Sequence, residues 1–169
     1  MLETRKAILG AVKTLLIFAA AAVLISMLLL PVLRVQKGSM NPTLEDGEIV
    51  VFTTAGKIKR GDIIAFHYNN QVLIKRVIAI AGDRLDLNED GTVILNGSPL
   101  YEPYVTEFAV GECTVTLPVA IPDGQFFVMG DHRATSVDSR RAEIGLVHQE
   151  HVVGKLFLRV WPINRFGSP

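Results

Sequence analysis

The chain has 169 residues, 17 basic and 17 acidic, which leaves room for one modest domain with an appendage and no bulk charge suited to nucleic acid. Its single cysteine, Cys113, excludes an internal disulfide and any zinc site built on paired cysteines, and in "GECTVTLP" it reads as a small apolar structural residue. Mean hydropathy is positive, unusual for a soluble domain, and one segment accounts for it.

That segment is "TLLIFAAAAVLISMLLLPVL", residues 14–33, twenty positions without a charge. At about 1.5 Å rise per residue, a helix of this length spans about 30 Å, the thickness of a bilayer's hydrocarbon core. The rival reading is a cleaved secretory signal, because "AAAA" at 19–22 resembles a cleavage site. Eleven more uncharged residues follow it, whereas the apolar core of a signal ends before the cut. The expectation is one membrane-spanning helix over 14–33, a short cytoplasmic N-terminus over 1–13, and an extracytoplasmic domain over 34–169. Arg5, Lys6 and Lys13 on one side against Arg34 and Lys37 on the other set that orientation, since basic residues favour the cytoplasmic side.

Beyond the anchor the texture is mainly β. "EIVVFTT", "DIIAFHY", "QVLIKRVIAIAG", "RLDL", "TVILNG", "QFFVMGD" and "KLFLRVW" are short runs of β-branched and aromatic residues bounded by turn residues. Asp90-Gly91, between "RLDLNE" and "TVILNG", predicts a hairpin turn. No stretch after residue 35 keeps a helical apolar period for three turns, and no repeat or charge block occurs. The domain is expected to be a compact barrel or sandwich, with the proline-rich, aperiodic stretch 97–124 as a long excursion on its surface.

Three places carry chemistry. Ser39, in "QKGSMNPTL", lies between Gly38 and a turn-forming Pro42, which suits an exposed hydroxyl with free backbone N–H groups nearby. A serine hydroxyl needs a neighbouring base to become a nucleophile. Lys75 interrupts an apolar strand, and a lysine is seldom buried unless paired or working. Alternation puts Lys75 and Arg76 on opposite faces, so at most one is expected to reach solvent. Burial lowers an ammonium pKa, which is what a lysine base requires. The third place is "MGDHRATSVDSR", where Asp131, Arg133, Ser136, Asp138, Ser139 and Arg140 crowd one polar loop, and Asp138 with Arg140 could clamp it. The histidines offer no competing centre. "HQEH" at 148–151 lacks the spacing of a zinc-binding HExxH and reads as a solvated turn, and His67 reads as a half-exposed strand residue.

Taken together, the anchor and the sequence "GSMNPTL", "GDIIAF", "KRVIAIAGD", "LNG", "GDHRATSVDSR" and "RVWPINRFG" resemble the type I signal peptidases, the bacterial-type Ser-Lys membrane proteases. The resemblance implies a signal-peptidase/LexA-like β domain behind one N-terminal transmembrane helix, and removal of signal peptides from secretory precursors after small residues at −1 and −3. It implies Ser39 as acyl-enzyme nucleophile, Lys75 as general base, and Ser136 as the hydroxyl that hydrogen-bonds the lysine amine. Asp138 and Arg140 become a structural pair, Asp131 a partner for Arg76, and Val35, Met40, Leu44 and Ile74 the lining of the small-residue pockets. No metal or cofactor is implied; the partners are secretory precursors and the lipid bilayer, not nucleic acid, and the chain is expected to be a monomer. Where some relatives carry an oxyanion-stabilising Ser or Thr two residues before the nucleophile, this chain has Lys37, which throws weight onto the Ser39 N–H. Ala81 replaces a frequent proline, and His132 replaces a common asparagine as a loop substitution. A LexA-like self-cleaving repressor would share the dyad but needs a DNA-binding helix-turn-helix where this chain has an apolar span. A non-enzymatic, membrane-tethered peptide-binding β module leaves Lys75 in its apolar strand unexplained.

Overall fold

The computed structural model describes residues 2–169, with the side chains of residues 2–4, 7, 19 and 22–29 outside the description. Two compact units divide the chain, Met1–Pro31 and Val32–Pro169. The first is a helix, α1, Leu2–Leu29. Alanine and leucine favour it, and Pro31 ends it, because proline cannot donate to the ladder and disfavours helical geometry at the residue before it. The predicted span over 14–33 therefore overruns: Val32–Arg34 form strand β1 of the second unit. Among the described residues no helix is long and apolar enough to cross a membrane. Part of the predicted span, residues 19 and 22–29, has its side chains outside the described residues.

The second unit is mainly β, as its sequence texture predicts. A seven-stranded antiparallel sheet runs in the order β1, β2 (Ile49–Thr53), β11 (Val152–Trp161), β3 (Ile63–Tyr68), β4 (Gln71–Ala79), β9 (Gln125–Met129) and β10 (Val147–His148). A four-stranded antiparallel sheet runs β7 (Ser98–Pro99), β6 (Val93–Leu95), β5 (Arg84–Leu87), β8 (Val119–Ala120). Each of the seven runs read from the sequence holds a strand; β1, β7, β8 and β10, two or three residues each, are additional.

Alternation sorts the core. On β3, Ile63 and Ala65 join one cluster with Val35, Met40, Leu44, Val50 and Phe52, while Ile64 and Phe66 join another with Val77, Phe126, Val128 and Val147. The pairing of β4 with β9 shifts register between Val77 and Ala79. Ile78 and Ala79 then share a third cluster with Leu85, Val93, Leu95, Ile121, Phe127 and Met129, beneath the smaller sheet.

The turn between β5 and β6 spans 88–92, with Thr92 N–H donating to Asp90 Oδ1 at 2.9 Å and Gly91 at φ +87°. Gly91 is also a contact point: a Cβ there would lie 2.4–2.7 Å from the Ala109 backbone, so the excursion packs on this hairpin. The excursion is not confined to the surface. Glu102 and Val105 are buried, at 4% and 8% exposure. Composition marks this stretch as aperiodic without revealing which of its residues turn inward.

Candidate active site

Ser39 follows β1 in a tight turn, closed by Asn41 N–H to Gly38 O at 3.0 Å and Leu44 N–H to Met40 O at 2.9 Å. Gly38 sits at φ +53° and Lys37 at φ +68°, and the Lys37 N–H donates to Asp46 Oδ1 at 3.1 Å. A side chain in this left-handed region is costly unless its surroundings hold it, and the Asp46 contact is one such tie.

Lys75 lies mid-strand on β4, paired with Ile64 of β3, and only 3% exposed. Its Nζ stands 2.7 Å from Ser39 Oγ. Burial lowers its pKa from 10.5 to about 8; Asp138 and Asp131 pull the other way, and Arg140 reinforces the fall. Near pH 8 about half of these amines are then neutral and able to accept a proton. Arg76 is buried too, so of the two β4 cations, at most one of which was expected to reach solvent, neither does. Each instead finds partners on its own face of the strand.

The partners come from the loop after β9. Asp131 accepts from Arg76 Nε at 2.9 Å and Nη2 at 2.6 Å, and from Thr43 Oγ1 at 2.5 Å. Asp138 accepts from Arg140 Nε and Nη2, both at 2.9 Å, and from Gly130 N–H at 3.0 Å. Burial by itself would raise the Asp138 carboxyl, but the Arg140 guanidinium, the Gly130 N–H and, least, the neighbouring Ser136 hydroxyl hold it below the usual carboxylate range. Ser139 Oγ accepts from Val128 N–H at 2.9 Å and ties the loop back to its strand. Gly130 is where the loop meets Ser39: a Cβ there would collide with Ser136 Oγ and lie 2.5 Å from Ser39 O.

Two expected placements differ. Ser136 Oγ is buried but has no hydrogen-bond partner among the described residues, so the bond to the Lys75 amine is not made. Leu44 is fully buried among Val50, Phe52 and Ile63 and does not line the cleft, because the Met40–Leu44 turn points it inward. The cleft itself, ≈ 680 Å³, runs between residues 32–40 and residues 68–75, with Val35, Met40 and Ile74 in its walls and Thr135 and Val137 at its end. One long side of this cleft has strand character. β4 pairs with β9 only from Arg76 onward, so Gln71–Lys75 pair with β3 alone and leave their other backbone edge free.

Sequence reasoning passed over Thr43, Gly130, Glu102 and Tyr104. Glu102 accepts two bonds from Arg133, at 2.9 and 2.5 Å, and one from Tyr104 OH at 2.8 Å. The one signal was an acid between aromatics in "YEPY". No histidine side chain is hydrogen-bonded to Ser39 or Lys75 among the described residues. His67, His148 and His151 are exposed, and His132 Nδ1 lies 2.8 Å from Thr135 Oγ1. Among the described residues no group of histidine, cysteine and carboxylate side chains is arranged to hold a metal.

A hydroxyl 2.7 Å from a buried amine of lowered pKa, beside a strand edge able to take an extended peptide, is the equipment of a serine endopeptidase. The family model described as "Signal peptidase, peptidase S26" matches residues 8–161. The chain is 37% identical over 166 residues to the signal peptidase I of Bacillus licheniformis, covering 90% of this chain and 88% of that one. It is 37% identical over 149 residues to the signal peptidase IB of Staphylococcus aureus (strain COL), covering 76% of each. The crystal structure of a signal peptidase I from Enterococcus faecalis V583 superposes with a TM-score of 0.51 at 32% identity, over 62% of this chain and 100% of that one. The chain belongs to the peptidase S26 family of signal peptidases.

Proposed function

We propose that this peptidase cuts secretory precursors with Ser39 as nucleophile and Lys75 as general base. The observation that carries the reading is the 2.7 Å approach of a lysine that is 3% exposed to the serine hydroxyl. With the amine neutral, Ser39 Oγ donates its proton to Lys75 Nζ as the oxygen attacks the scissile carbonyl. The resulting ammonium protonates the departing amine, the new N-terminus of the mature protein, and leaves the signal peptide as an ester on Ser39. Lys75 then takes a proton from water, hydroxide attacks the ester, and the serine is restored. The Ser39 N–H serves as an oxyanion donor, and such donors contribute about 3–4 kcal/mol to a transition state. Asp138 with Arg140, and Asp131 with Arg76, keep the loop and β4 in place.

The precursor is read as an extended strand added to the free edge at residues 71–75. Val35, Met40 and Ile74 then floor pockets with space for small residues at −1 and −3. Ser136 becomes a group that engages the amine during turnover, since its buried hydroxyl is otherwise unspent. We place α1 in a lipid bilayer as a single-pass anchor, N-terminus cytoplasmic and Val32–Pro169 outside. In support, Ile8, Leu9, Val12, Leu15, Leu16, Ile17 and Phe18 expose 50–76% of their surface on consecutive faces of the helix. An all-round apolar helix calls for a core or a membrane.

The test is cleavage of a secretory precursor in detergent by wild type, Ser39→Ala and Lys75→Ala. The reading expects a cut after a small residue, abolished in both variants while the fold persists; cleavage by Lys75→Ala at the wild-type rate would overturn it.

A further inference from the structure

The nucleophile is held from behind. Residues 130–132 touch Ser39 twice: Gly130 packs against its carbonyl oxygen, and the His132 N–H donates to that same oxygen at 3.2 Å. Two arginines grip this short segment. Arg133 Nε donates to Gly130 O at 3.2 Å, and Arg76 holds Asp131 through two bonds. Both arginines end on the excursion. Arg133 donates its two hydrogen bonds to Glu102, with both side chains 0% exposed, and the Arg76 guanidinium lies 3.9 Å from the centroid of the Tyr104 ring. Tyr104 OH closes the circuit by donating to Glu102 Oε1 at 2.8 Å.

Stability alone is a poor reason for such an arrangement. A fully buried ion pair roughly cancels its own attraction with the desolvation of two charges, and an apolar pair of similar volume does as well or better. What a buried, fully hydrogen-bonded network does supply is a single geometry. Here that geometry converges on the carbonyl of the residue whose hydroxyl must sit 2.7 Å from Lys75.

We propose that Glu102 and Tyr104 are positioning residues for the cleavage reaction: acting through Arg133 and Arg76, they hold segment 130–132, and with it Ser39, in register with Lys75. The inference rests on the Ser39–Lys75 reading and extends it to a part of the chain that makes no contact with the cleft. Tyr104→Phe keeps the ring beneath Arg76 and drops the bond to Glu102; Tyr104→Leu drops both; Glu102→Gln weakens the hold on Arg133.

The experiment is steady-state cleavage of a precursor-derived peptide by the full chain in detergent, with competent enzyme counted by an acylating active-site titrant. Tyr101→Ser, at an 86% exposed site on the same excursion, is the control. The expected result is an unchanged KM and a graded fall in kcat per titrated site, small for Tyr104→Phe and about tenfold for Tyr104→Leu, below the roughly hundredfold that a 1 Å misplacement costs. The pH profile should move with it. Lys75 faces Ser39, Asp131, Asp138 and Arg140, and a loosened Arg76 leaves the Asp131 charge to favour the ammonium, so the acid limb shifts to higher pH. If Glu102→Gln folds too poorly to assay, the two Tyr104 variants carry the test. Wild-type kcat per titrated site and an unmoved acid limb in both Tyr104 variants, whatever their melting temperatures, would overturn the proposal. Activity surviving in Ser39→Ala would instead overturn the dyad reading beneath it.

Discussion

Replacing Lys75 with methionine should abolish cleavage and stabilise the protein. A fall in pKa from 10.5 to about 8 means that the native state disfavours the ammonium by about 3 kcal/mol, at about 1.4 kcal/mol per pH unit. Below pH 8 the lysine is charged in both folded and unfolded chains, and the whole penalty is present. Between pH 8 and 10.5 the unfolded chain keeps a proton that the native state has shed, so wild-type stability rises with pH and the penalty fades. Methionine matches the volume, carries no charge, and gives up one hydrogen bond to Ser39, a loss of about 1 kcal/mol. The balance is about 2 kcal/mol in favour of Lys75→Met at pH 7, a rise of about 8 °C in Tm for a unit of this size. The advantage should vanish by about pH 10. Trp161, the chain's single tryptophan, sits on β11 and reports unfolding of the β unit by fluorescence. A Lys75→Met protein that melts below wild type at pH 7, or whose advantage is the same at pH 7 and pH 10, would refute the claim that burial sets this amine's pKa.

Other consequences follow from the same contacts. Gly130→Ala puts a methyl group against Ser136 Oγ and within 2.5 Å of Ser39 O, and since the backbone oxygen must yield, kcat should fall by about 100-fold with a smaller change in KM. Asp131→Asn removes a carboxylate that favours the Lys75 ammonium and leaves the Arg76 charge unopposed, so the acid limb of kcat/KM should move below its wild-type position near pH 8; a shift upward would contradict the assigned causes. Ser136→Ala removes a hydroxyl with no partner in the resting site, so stability should hold within about 0.5 kcal/mol. If Ser136 engages the amine during turnover, kcat drops all the same; loss of both together would mark it as structural.

The parts of this protein that read easily from its sequence are those whose chemistry clashes with its surroundings. A lysine in "VLIKRVIAIA" stands out because burial of a lone ammonium is costly, whereas a serine between glycine and a proline turn is a common turn by itself and gains meaning only beside that lysine. Strands of four residues or more declare themselves by alternation and composition; β7, β8 and β10, at two residues, offer no period to detect. β1 is hidden for another reason. Its residues continue the apolar run of the helix across Pro31, and hydropathy registers no boundary there. Leu44 could not be told from Met40, since both are apolar and buried and only the direction of a turn separates cleft wall from core. The inward-facing acid Glu102 was the least legible. Its stretch has no period, and its partner Arg133 lies 31 positions away.

The most direct measurement is of the covalent intermediate. Wild-type enzyme mixed with excess precursor near pH 8, quenched in acid within milliseconds and digested, should yield by mass spectrometry a Ser39-containing peptide carrying the signal peptide as an ester. The adduct should be missing from Ser39→Ala and Lys75→Ala. Cleaved precursor with no adduct on Ser39, or an adduct that forms equally fast without Lys75, would contradict the dyad.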